Sequence, residues 1–132
     1  MKKSFHIGEI GKIAKEILSI ILDTRYSMPD KATLVALSGD LGAGKTTLTQ
    51  VIAKEFGIKE TIISPTFVIM KHYPLSLSTS HFRLLTHIDA YRLDSDDELL
   101  KLGWKELISD STNLILIEWP ERVKNLIPKD AL

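Results

Sequence analysis

A short apolar run rich in strand formers, Thr33-Leu34-Val35-Ala36-Leu37-Ser38, feeds without a break into a glycine-rich octet, Gly39-Asp40-Leu41-Gly42-Ala43-Gly44-Lys45-Thr46. A helical stretch from Lys45 to Phe56 follows at once. Strand, loop and helix in direct succession make the helix fold back across the strand, so the chain is expected to build a layered α/β fold. Gly57 stands just past the helix, where a residue without Cβ takes positive φ cheaply.

The octet has the spacing of two glycines four residues apart followed by Lys and Thr, and each position has a chemical reason. Glycines turn successive amide hydrogens toward one point and let phosphate oxygens approach without meeting a side chain. The helix opening near Lys45 adds the positive end of its dipole and unpaired amides. The whole stretch Gly39, Asp40, Leu41, Gly42, Ala43, Gly44, Lys45, Thr46 and Thr47 is therefore the expected cradle for ATP and ADP phosphates. Lys45 is expected to bridge the β- and γ-phosphates, the Thr46 hydroxyl to complete a Mg2+ shell, and Thr47 to serve the α- or β-phosphate.

The rest of the chain reads as further layers. Ile7, Ile10, Ala14, Ile17, Leu18 and Ile21 fall at helical spacing, which predicts an amphipathic helix over about Gly8 to Leu22, and Arg25 to Lys31 reads as a turn. Strands are expected at Phe67 to Met70, Leu84 to Ile88 and Leu114 to Ile117, with a small polar loop over Pro74 to Ser80. Ser95-Asp96-Asp97-Glu98 fits a capping box opening a helix that ends near Gly103. No internal repeat or long linker interrupts the chain, so residues 1–132 are read as one domain with a largely parallel central sheet, a P-loop NTPase-like three-layer arrangement.

Two of the expected strands end in acids. Leu114 to Ile117 leads into Glu118, the first candidate to hold a metal-bound water or orient an attacking one, with a solvated strand-end acid as the alternative. His87-Ile88-Asp89 ends another strand, and ligands of open α/β sheets sit beyond the carboxyl ends of strands, so Asp89 is a second candidate for the metal shell. His87 reads as a packing or supporting residue rather than a ligand. Ser64 and Thr66 lie before a strand, where a hydroxyl could sense the γ-phosphate; a plain turn fits equally well. Arg92 could stabilise transition-state charge, although a surface ion pair is the better default.

Seventeen basic and seventeen acidic residues cancel, which argues against a direct grip on tRNA or other nucleic acid through counterion release. The absence of cysteine excludes disulfides, thiolate metal sites and a cysteine nucleophile, and agrees with the cytoplasm. Charges interrupt every apolar run that could serve as a leader or membrane span, so no membrane association is expected.

Together, the octet with its flanks, Ser64-Pro65-Thr66-Phe67, His87-Ile88-Asp89-Ala90-Tyr91-Arg92-Leu93 and Ile117-Glu118-Trp119-Pro120 closely resemble the bacterial TsaE (YjeE) family in order and spacing. The resemblance covers nearly the whole chain. It implies a small ATPase that works with the TsaB and TsaD proteins to make threonylcarbamoyladenosine in tRNA. It also implies that Lys45 and Thr46 hold nucleotide and magnesium, that Asp89 assists the magnesium, and that Glu118 is needed for hydrolysis. Trp119 is open to two readings, packing beside the site or meeting a partner. Members of that family usually continue past the segment matching Leu126-Ile127-Pro128 into further strands, which are absent from this sequence, and Pro74 to Ser80 differs from their usual compact connection. A small-molecule kinase, with a cover drawn from the region of Arg83 and Arg92, and a nucleotide-sensing module with slow hydrolysis remain as alternatives. A guanine-specific switch is disfavoured, because no Asn-Lys-x-Asp element occurs.

Overall fold

The computed structural model describes residues 7–23, 31–39, 44–60, 62, 69–75, 81–128 and 131. A 3₁₀ turn, Ile7–Glu9, leads into helix α1, Ile10–Ile21. Strand β1, Thr33–Leu37, precedes helix α2, Lys45–Glu55. Then come β2, Met70–Pro74, and β3, Leu84–Asp89. Two short helices, α3 at Asp96–Leu100 and α4 at Trp104–Ile108, connect to β4, Asn113–Glu118, and a kinked 3₁₀ segment, Pro120–Leu126, follows.

The strands form one sheet in the order β1-β4-β3-β2, parallel except for the antiparallel pair β2 and β3. All six residues of β4 are buried, as expected for a strand with neighbours on both edges and helices on both faces. Alternation along the strands divides the core in two. Val35, Leu37, Leu85, Leu114 and Leu116 pack against Ile10, Ile13 and Ala14 of α1 and Leu48, Ile52 and Ala53 of α2. Leu34, Ile88, Ile115 and Ile117 pack against Leu99, Trp104, Leu107 and Val123 on the opposite face. The result is a helix–sheet–helix α/β fold with a mostly parallel sheet, as the junction at Gly39 predicts.

Three local expectations are corrected. The strand expected over Phe67 to Met70 instead begins at Met70 and runs to Pro74. Residues 67 and 68 lie outside the described residues. Lys71 and His72 hide the pattern because β2 is an edge strand whose Tyr73 alone is buried, and pairing with β3 in the register Tyr73↔Leu85 defines it. Pro74, expected to open a loop, ends this strand, a place where its missing N–H costs no ladder bond to a further strand. Residues 76–80 lie outside the described residues.

The expected capping box is replaced by another arrangement. Ser95 makes no side-chain cap bond, and Glu98 Oε2 accepts instead from the Asp94 amide at 3.1 Å, one residue earlier than the motif requires. The helix it opens stops at Leu100. Gly103, expected near its end, occupies the joint at the start of α4 with φ 91°.

Candidate functional site

β1 ends at Leu37 and α2 begins at Lys45, so the two described ends of the glycine-rich connection, Gly39 and Gly44, flank the residues between them. Gly39 at φ 141° and Gly44 at φ 91° occupy the left-handed half of backbone space at either side of the connection, as a tight turn around an anion requires. Asp40, Leu41, Gly42 and Ala43 lie outside the described residues. Gly44 caps α2, and its carbonyl accepts the first helical bond, from the Leu48 amide at 2.9 Å. Amides of the first turn have no partner within the helix and face whatever lies at its positive end.

Lys45 is buried, an uncommon state for a lysine, and two contacts hold its ammonium group. Nζ donates a hydrogen bond to the Gly39 carbonyl and stands 3.8 Å from the centroid of the Trp119 ring. It is therefore held between Gly39, at the start of the connection, and Trp119, the residue after β4. Thr46 is half-buried and turned toward the sheet, whereas Thr47 is exposed.

The parallel register sets Leu37 beside Glu118 and Glu118 beside Asp89. Three strand ends thus stop at one level, with two buried acids on neighbouring strands about 4.8 Å apart in backbone spacing. Glu118 has two differently engaged oxygens. Oε1 accepts from Thr46 Oγ1 at 3.4 Å, and Oε2 meets His87 Nε2 at 2.6 Å. Asp89 accepts from the Tyr91 amide at 3.0 Å through Oδ1, which closes the turn after β3.

Among the described residues, the only non-glycine positions with positive φ are Ile69 at 68° and Trp119 at 59°. Both adjoin the acid pair: the Ile69 carbonyl accepts the Asp89 amide at 2.8 Å, and Trp119 follows Glu118, its amide donating to Leu37 at 3.2 Å. Unfavourable backbone of this kind persists where surrounding contacts over-determine it, commonly at functional sites.

The half-buried Trp119 ring packs on the Lys45 ammonium group, the contact that the first of its two readings expects. Tyr91 lies 5.0 Å from it, and the Arg122 guanidinium stacks 5.5 Å from the Tyr91 ring, making a ladder from the exposed surface to Lys45. Ser38 Oγ donates to Glu121 Oε2 at 3.1 Å and ties the start of the connection to the 3₁₀ segment. Sequence spacing carried no signal for these contacts, which join residues far apart in the chain. Arg83 and Arg92 are exposed, and Ser64 and Thr66 lie outside the described residues.

A family model described as "Threonylcarbamoyl adenosine biosynthesis protein TsaE" matches residues 8–132. The chain belongs to the TsaE family. Proteins called "tRNA threonylcarbamoyladenosine biosynthesis protein TsaE" are similar to it. The one from Rickettsia felis is 46% identical over 95 residues, which are 71% of this chain and 52% of that protein. The one from Haemophilus influenzae is 34% identical over 125 residues, covering 95% of this chain and 72% of that protein. The one from Borreliella burgdorferi is 34% identical over 121 residues, covering 92% and 83%. The chain spans about half the length of the Rickettsia felis relative.

The donor set suits a hard cation. The Thr46 hydroxyl and the Glu118 and Asp89 carboxylates offer oxygen only, and among the described residues no group of three or more His, Cys, Asp or Glu could form a metal cage. Mg2+ is commonly held in this way, by one or two carboxylates together with nucleotide phosphates.

Proposed function

We propose that this TsaE-family chain is a Mg2+-dependent ATP hydrolase that supports threonylcarbamoyladenosine modification of tRNA together with the TsaB and TsaD proteins. The observation that carries the reading is the convergence of Lys45, Thr46, Asp89 and Glu118 where β1, β4 and β3 end beside α2. The relatives' names support the tRNA pathway, and the TsaB–TsaD partnership follows from the family resemblance.

In this reading the loop amides and the start of α2 bind the phosphates, and Lys45 leaves the Gly39 carbonyl to meet the β- and γ-phosphates. Thr46, Asp89 and Glu118 would hold magnesium, which when bound would neutralise charge developing on the phosphates. Glu118 also orients the attacking water and can take its proton. Trp119 walls the ammonium side of the site and limits solvent access. Among the described residues no helix is long and apolar enough to cross a membrane, and the reading places the chain in the cytoplasm with the tRNA machinery. Equal numbers of acidic and basic residues favour contact with tRNA through partners rather than directly.

The test is the rate of Mg-ATP hydrolysis by the chain alone and with a TsaB–TsaD pair, with Lys45→Ala as the blank. A rate that rises with the pair and vanishes in the variant is expected. Hydrolysis that persists in Lys45→Ala would sink the assignment of the site, and a rate indifferent to the pair would sink the partnership.

A further inference from the structure

Among the described residues that touch Glu118, Thr46 has a use in this reading and the His87 imidazole has none. His87 is wholly buried in β3, on the sheet face it shares with Asp89, beneath the helices α1 and α2. Its Nε2 meets Glu118 Oε2 at 2.6 Å, while Nδ1 has no hydrogen-bond partner among the described residues. An unpaired polar atom in such a place costs stability, because it gives up its hydrogen bond to water and gains none in return. A leucine would fill the same space without that cost, so packing alone gives no reason for an imidazole there.

Geometry gives one. An ionised carboxylate only accepts hydrogen bonds, so Nε2 carries the hydrogen and donates it. One oxygen of the planar carboxylate is thereby pinned, and the other faces Thr46 Oγ1 at 3.4 Å. His87, Glu118 and Thr46 form a relay from β3 through β4 to α2, three elements that meet only in the folded chain. We propose that His87 is a positioning residue for Glu118, fixing one carboxylate oxygen so that the other is presented beside Thr46 to a divalent cation. The proposal rests on the functional reading above.

The experiment measures binding of a fluorescent ADP analogue as Mg2+ is raised, and again in EDTA, for the parent chain, His87→Leu and His87→Gln. The glutamine amide can donate from nearly the place of Nε2. Partners that orient metal ligands commonly change metal affinity by about 10–100-fold. The half-saturating Mg2+ concentration is therefore expected to rise at least about tenfold in His87→Leu and to return close to the parent value in His87→Gln, with EDTA affinities alike. An unchanged Mg2+ dependence in His87→Leu, or an equal loss in EDTA, would overturn the proposal; the second result would mark His87 as a packing residue. A second readout needs no nucleotide: in long-range nitrogen–proton NMR spectra, the hydrogen-bonded His87 Nε2 proton should shift in Glu118→Gln. If it does not move, the pairing is refuted. A parent chain that binds no nucleotide would refute the functional reading instead, and the NMR result would then judge the His87–Glu118 contact by itself.

Discussion

Glu118 is buried, at 3% exposure, yet its two oxygens meet groups of different character, a hydroxyl on α2 and an imidazole on β3. That arrangement suits an acid that must keep one orientation while accepting a proton from water. Glu118→Ala is therefore expected to lower Mg-ATP hydrolysis by about 10²- to 10⁴-fold, the range for removal of a general base, while ADP binding in EDTA persists. Steady-state rates and a binding isotherm measured side by side check this, and near-parental hydrolysis would refute the role. At this scale the residue types were legible. Lys45, Thr46, Asp89 and Glu118 stand at the ends of recognisable strand and helix patterns. Their mutual contacts were not, since the His87–Glu118 pair follows from the register of β3 on β4 and the Lys45–Trp119 pair from the placing of α2 beside the end of β4, and neither has a sequence spacing of its own.

At the scale of elements, α2 is held by its ends as well as its buried face. Gly57 follows its C-terminus at φ 81°, and its amide donates to the Lys54 carbonyl at 3.0 Å. Left-handed backbone costs an L-residue with a Cβ about 1–2 kcal/mol, so Gly57→Ala should lower stability by that amount in urea unfolding. The turn from α4 to β4 carries a pH-dependent contribution. Asp110 Oδ1 accepts from the Thr112 hydroxyl at 2.7 Å and the Thr112 amide at 2.9 Å, and these bonds hold its carboxyl below the ordinary 3.8. A depressed folded pKa gives stability that is present above the unfolded value and lost as pH falls through the folded one. The stability gap between the parent and Asp110→Asn should accordingly be full at neutral pH and close as pH falls below 3.8, which thermal melts across that range would show. A gap independent of pH would contradict the assignment.

At the scale of the whole molecule, β4 joins the two cores, with Leu114 and Leu116 on one face and Ile115 and Ile117 on the other. It also delivers Glu118 to the site, so stability and site geometry share one strand. Leu116 is wholly buried, and Leu116→Ala should cost about 2–5 kcal/mol, read as a lower urea midpoint with little change in slope. A loss much below that range would mean that the core collapses onto the vacated space. Much of this architecture was written in local pattern. An apolar run ending in a glycine-rich octet and a helix, and further apolar runs ending in acids, rest on contacts within a few residues. Near-neighbour chemistry is enough to specify them. The place of β2 was decided at long range, because Lys71-His72-Tyr73 becomes a strand only by pairing with β3 along a sheet edge. Glu98 likewise accepts from the Asp94 amide rather than that of Ser95, in a helix that packs beside the 3₁₀ segment. That Thr46, Asp89 and Glu118 would share one site was expected from the sequence, but the contacts that join them to His87 belong to the tertiary structure, because their distances are set by parallel register between strands far apart in the chain and by the placing of α2 against them.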